Sequence, residues 1–178
     1  MRGLLRATLL VTLGVVHADI FEAVSQDSME AIKKALTANP ESLNAVGPGG
    51  QSPLMNAVLS GKTKAVKYLL KRKADPKVAE KDGYTPMHGA GFQGRAEIAK
   101  LLIAHGLDPW EVHKDGHPPM TRACWGQEPR HTATVKVFIE AGATMDAMQA
   151  CLSAARNQGT KRELEAGIER LKASKEEV

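Results

Sequence analysis

The chain has 178 residues, enough for one domain, and its few aromatics (4%) beside many small apolar residues suit thin helical layers better than one large core. Net charge is +4, but Arg2 and Arg6 supply two of those charges, and residues 19–178 hold 22 basic against 20 acidic groups. A body this balanced gives little support to general nucleic-acid binding, and no nucleic-acid partner is expected.

Residues 1–18 stand apart. They hold two arginines, no acid, an apolar run from Ala7 to Val16, and Val16-His17-Ala18 with a small residue last. That is the layout of a secretory signal peptide, with cleavage expected after Ala18. The run of 10 residues falls short of the about 20 that span a bilayer. A mitochondrial presequence and an apolar helix packed on the body are the alternatives. With a signal peptide the chain enters the secretory pathway or is secreted; without one it is cytoplasmic. No later segment is apolar enough for stable membrane insertion.

From residue 19 the chain reads as turns and helix pairs. In residues 19–47, Asp19 can cap a helix carrying Phe21 and Val24, and Asp27-Ser28 makes a bend. Ala31, Ile32, Ala35 and Leu36 give the second helix an apolar face before Asn39-Pro40 ends it. Gly47-Pro48-Gly49-Gly50 is the next turn. In residues 48–80 the second helix and its exit carry Lys62, Lys64, Lys67, Lys71, Arg72, Lys73 and Lys77, the densest basic stretch. A solvated helix face with cations near its C-terminus accounts for it; a patch for an acidic partner is the alternative.

Residues 81–111 form the clearest unit. Asp82-Gly83 is a turn pair, Thr85 can cap a helix, and Pro86 fits the first turn. Met87 and Ala90 share a face, and Gly94 ends that helix. Ile98, Leu101 and Leu102 then repeat at helical spacing up to Gly106. A shift of 33 residues turns Gly83-Tyr84-Thr85-Pro86-Met87 into Gly50-Gln51-Ser52-Pro53-Leu54 on one side and Gly116-His117-Pro118-Pro119-Met120 on the other. A fixed period of turn plus two helices marks a stacked solenoid.

Residues 112–145 depart from the pattern. Pro118 replaces the capping Thr and Thr121 replaces His88. Gly106 maps to Gly142 at a shift of 36, so three extra residues are expected as a polar loop around 127–131. Residues 146–172 read as a capping helix pair: a first helix over 148–158 with Leu152 and Ala155 inward, a bend at Gly159, then a second with Leu164, Ile168 and Leu171. Residues 173–178 read as a charged, frayed tail.

The stretch GYTPMHGAGFQGRAEIAKLLIAHGLDP resembles the ankyrin repeat and its G-x-T-P-L-H-x-A…G…LL…G-A-D pattern, and the likeness runs over residues 19–172. It implies an all-α solenoid of five helix-turn-helix units with degenerate end caps. It implies a non-catalytic module that binds another protein through a concave face. It implies that His88 hydrogen-bonds backbone and ties neighbouring turns together. The family's recognition surface falls on the turn tips and on the exposed end of each first helix. The matching turn positions are Gly49 and Gln51, then Lys81, Asp82 and Tyr84, then Lys114, Asp115 and His117. The matching helix positions are Leu59 and Ser60, Phe92 and Gln93, Trp125 and Gly126. Leu59, Phe92 and Trp125 are 33 apart, and packing between repeats is the competing reading for them.

The sequence has no phosphate loop, dinucleotide glycine motif or nucleophile elbow, and no nucleophile at motif spacing from His88. His113 and His117 flank a turn instead of sharing a helix face, so neither a metal nor another cofactor is expected. Gly89-Ala90-Gly91 falls inside a helix, where close packing explains it. With the last bend at Gly159, Cys124 and Cys151 fall five positions apart along adjacent helices, too far to bridge, and free thiols are expected. The expected function is protein binding by a monomer. The runner-up is a regulatory subunit of an enzyme complex, and the third reading is an enzyme with an unrecognised site.

Overall fold

The computed structural model describes residues 19–176, so the expected leader at 1–18 lies outside the described residues. Among those described there are ten α-helices and no strand. They pair in order: α1 (Ile20–Ser25) with α2 (Met29–Ala38), α3 (Pro53–Leu59) with α4 (Thr63–Lys71), α5 (Pro86–Gln93) with α6 (Ala96–Ala104), α7 (Pro119–Cys124) with α8 (Pro129–Glu140), and α9 (Met145–Ala154) with α10 (Gln158–Glu176). The first helices stack on one another in one layer and the second helices in another. The result is an all-α solenoid of five units.

Local chemistry sets the helix starts. Asp19 accepts from the Phe21 N–H, Ser28 from Ala31, Ser52 from Met55 and Thr144 from Ala147. Proline opens α3, α5, α7 and α8, where no backbone donor is needed. Gly94 closes α5 at φ 66°, a left-handed conformation that a residue with a Cβ adopts only with strain.

The core is a set of columns that follow the period. Leu54, Met87 and Met120 fill equivalent places in the first-helix layer, and Leu69, Leu102 and Phe138 do so in the second. All six are less than 2% exposed. Gly91 lets α5 approach α7 closely: a Cβ there would run into the Pro119 carbonyl group, whose carbon would stand 2.9 Å away. Close helix packing is therefore the reason for that glycine.

Four expectations for the second half need correction. The three extra residues do not form a loop. They lengthen α8 to 12 residues, against nine in α4 and α6. Three residues make nearly one turn of about 3.6 residues, so the buried face of His131, Thr134, Val135 and Phe138 keeps its direction. The last bend is not at Gly159 either. It falls at residues 155–157, and the Asn157 carboxamide oxygen accepts from the Gly159 N–H (2.7 Å) and the Thr160 N–H (3.2 Å) to start α10. That moves the register of α9 and overturns the reading of the cysteines. Cys124 lies six residues past the α7 cap Pro118, and Cys151 lies seven past the α9 cap Thr144. The two side chains meet with Cα atoms 5.6 Å apart and form a disulfide. Finally, α10 continues to Glu176 through much of the segment read as a frayed tail.

Candidate functional site

A groove of about 430 Å³ opens on the first-helix layer. Met55 and Leu59 of α3, Phe92 of α5, Tyr84 and Glu80 of the turn before α5, and Arg122 of α7 line it. Gly89 forms part of its wall, where an added Cβ would stand 3.1 Å from Leu59 Cδ2 and 3.3 Å from Met55 Cε. Phe92 is 56% exposed, so its ring is not spent on the core. Leu59 and Gln93 are half-buried beside it.

Tyr84 is held by the next turn and helix. Its ring stacks on His113 with centroids 3.9 Å apart, and its hydroxyl donates to Asp115 Oδ2 at 3.1 Å. The Arg122 guanidinium stands 4.6 Å from the Tyr84 ring centre and 5.1 Å from that of Trp125, in cation–π contact with both. Arg122 also donates to Asp115 Oδ2, and the Trp125 ring meets His117 edge-on at 4.9 Å. His113 Nε2 bonds the Asp82 carbonyl at 3.0 Å, joining two successive turn tips. Aromatic and charged groups thus brace one another along one edge of the groove.

The charges follow from this arrangement. Partial burial works against a charged Asp115. The hydrogen bonds from Arg122, His113, the His117 backbone N–H and the Tyr84 hydroxyl outweigh it and hold the carboxyl well below the usual carboxylate range. Burial, with the nearby His113 and Arg122 charges, lowers His88 from 6.5 to about 4, so its imidazole is neutral at physiological pH.

His88 differs from its expected role. Its Nδ1 shares a hydrogen bond of 2.8 Å with Thr85 Oγ1, a side chain of its own unit, in place of a backbone partner. Its buried Nε2 has no partner; the Glu111 carbonyl pulls the pKa slightly upward but lies outside hydrogen-bond geometry. The tie between turns is made by His113. Thr85 differs too. It precedes α5, but its hydroxyl is taken by His88 and does not cap the helix. Ser52 does cap α3, because the equivalent of His88 there is Met55.

The structure gathers Leu59, Tyr84, Phe92 and Gln93 around the groove. Asp115, His117 and Trp125 join it through Arg122 and Tyr84. Lys81, Asp82 and Lys114 stand exposed at the turn tips, and Gln51 is half-buried in the turn before α3 and does not line the groove. Gly126 is a packing position: a Cβ there would collide with the His131 ring. Glu80, Met55, Gly89 and Arg122 were not foreseen. Arg122 had one signal, since it occupies the place of Gly89 one period later, where a long cation is out of keeping with a tightly packed helix. Among the described residues, no three His, Cys, Asp or Glu side chains converge as a metal site would require.

A protein-family model described as ankyrin repeats, 3 copies, matches residues 20–113. No curated protein matches the chain. The match ends at His113, where the capping Thr and the helix-borne His of the repeat give way to Pro118 and Thr121.

Proposed function

The chain belongs to the ankyrin-repeat family, whose repeats are generally protein–protein interaction modules, and from that premise we propose that it binds a partner protein through the groove between α3, α5 and α7. The observation that carries the reading is Phe92, a large apolar side chain left 56% exposed beside a braced tyrosine. Leu59, Phe92 and Tyr84 supply an apolar centre, and Glu80, Lys81, Asp82 and Lys114 supply a polar rim, the usual anatomy of a recognition patch. Aromatic anchors bury about 150–250 Å² each and are frequent hot spots. Because Tyr84 is already fixed, less side-chain freedom is lost when the partner docks.

The protein acts as a monomer in the secretory pathway in this reading. The leader layout of residues 1–18 supports export, and the Cys124–Cys151 bridge suits an oxidising compartment. Finding Asp19 at the mature N-terminus would support it, and finding Met1 or Arg2 there would contradict it. No helix among the described residues is long and apolar enough to cross a membrane.

The binding reading is tested by footprinting the full chain bound to a stoichiometric captured protein. Tyr84, Phe92 and Leu59 should lose solvent reactivity. Protection that leaves all three unchanged would overturn the reading.

A further inference from the structure

Away from the groove, the most charged surface is the outer face of α4 and the loop after it. Residues 62–81 hold eight cations and two acids, so the rest of residues 19–178 has 14 basic against 18 acidic groups. Lys64, Lys67 and Lys71 are exposed at successive spacings of three and four. That places them on one helix stripe about 10 Å long, at about 1.5 Å of rise per residue. Arg72, Lys73 and Lys77 are also exposed and extend the track past the helix end. None of these six makes an ion pair among the described residues. In α6, α8 and α10 one lysine each is paired, Lys100 with Glu97, Lys136 with Glu163 and Lys172 with Glu169, whereas α2 leaves Lys33 and Lys34 unpaired among the described residues but carries only those two.

Folding alone does not favour this arrangement. Lys67 and Lys71, four apart on a helix, repel each other. Lys73 sits at φ 64°, in the left-handed region, where the equivalent residues of the next two units are Gly106 at 81° and Gly142 at 97°. A glycine would relieve the backbone there, and an acid would relieve the stripe. Either change would remove a cation from the same track.

We propose that this track docks a short acidic segment of a partner polypeptide, on the second-helix layer and independently of the groove. The track is linear and confined. Beyond it the body is net negative and repels a long polyanion. The exposed large apolar residues, Met29, Val46, Phe92 and Val112, all lie off α4, so the track has nothing to insert into a bilayer.

The test is titration of the full chain with labelled hexaglutamate, with hexaglutamine as control. Hexaglutamate should bind at low salt and weaken at least tenfold on raising salt to physiological strength, as exposed charges do. The variant K64Q/K67Q/K71Q should bind at least tenfold more weakly while melting no lower than the wild type, because the repulsion is gone. K73G should also weaken binding, in a chain that melts higher, which separates loss of charge from loss of fold. F92A should leave hexaglutamate binding unchanged. The proposal is overturned if hexaglutamate binds no better than hexaglutamine, or if the triple variant binds it as the wild type does. Tighter binding to heparin or to phosphatidylserine vesicles than to hexaglutamate, lost in the triple variant, would overturn it in favour of a long polyanion or a membrane surface.

Discussion

In residues 20–113 the bends inside the helix pairs are turned by backbone: Asp27, Gly61 and Gly94 stand at φ 50°, 70° and 66°. Residues 114–176 turn theirs by side chains. His131 packs over Gly126 and bonds the Phe92 carbonyl at 3.2 Å, and Asn157 caps α10 while donating to the Gln127 carbonyl. The first region repeats one solution, so its units are interchangeable in form. The second adds a longer α8, a disulfide and an Asn cap, each suited to one place only. A periodic region can be read from one unit. An end region must be read contact by contact, because its last face meets water and not another repeat.

Equivalent core cuts sharpen this comparison. Leu102→Ala and Phe138→Ala stand at matching places in the two regions, and each should destabilise by about 2–5 kcal/mol in denaturant titration. A loss below about 0.5 kcal/mol for either would break the 36-residue correspondence between α6 and α8.

Reducing Cys124–Cys151 should affect the second region first. A bridge across 27 positions constrains the unfolded chain by about 3–4 kcal/mol in the loop-entropy account. Thiol reductant should lower the melting temperature and speed hydrogen exchange in α9 and α10 before α3 and α4. Equal loss in both regions would show that the cap is not a separate lock.

Acid separates the regions as well. Folded His88 has its pKa lowered from 6.5 to about 4, so the unfolded chain takes up that proton more readily. Its contribution is present above pH 6.5 and is lost as pH falls from 6.5 to 4. The full loss is about 3 kcal/mol. Asp115, also lowered, loses its contribution in the same direction at lower pH. His88→Gln should flatten the pH 6.5–4 slope of stability, and an unchanged slope would contradict the assignment.

Much of the first region was legible in the sequence. The cap Asp19, the bend at Asp27-Ser28, the stop at Gly94 and the core columns follow from local propensity and period, which neighbouring chain does not override. Thr85 was misread because a competing partner, His88, sits three residues on. The cysteines were misread because Gly159 looked like the bend, whereas Asn157 provides it by side-chain capping. At the groove, Leu59, Tyr84, Phe92 and Gln93 share its lining because the period sets them side by side. Arg122 was missed because its meaning lies across the repeat boundary, over the Tyr84 ring and on Asp115.

A smaller effect probes the backbone of the first region. Lys73→Gly should raise stability by about 1 kcal/mol by relieving the left-handed lysine. A loss of stability would show that the Lys73 side chain packs in a way that outweighs the strain.

The central claim is that the groove is a recognition surface and not a packing seam. The paired measurement is the melting temperature of Phe92→Ala beside its affinity for the captured partner. An exposed ring predicts a stability change within about 0.5 kcal/mol and an affinity at least tenfold weaker. A loss of folding stability above about 3 kcal/mol, as a core aromatic would give, or an unchanged affinity, would contradict it.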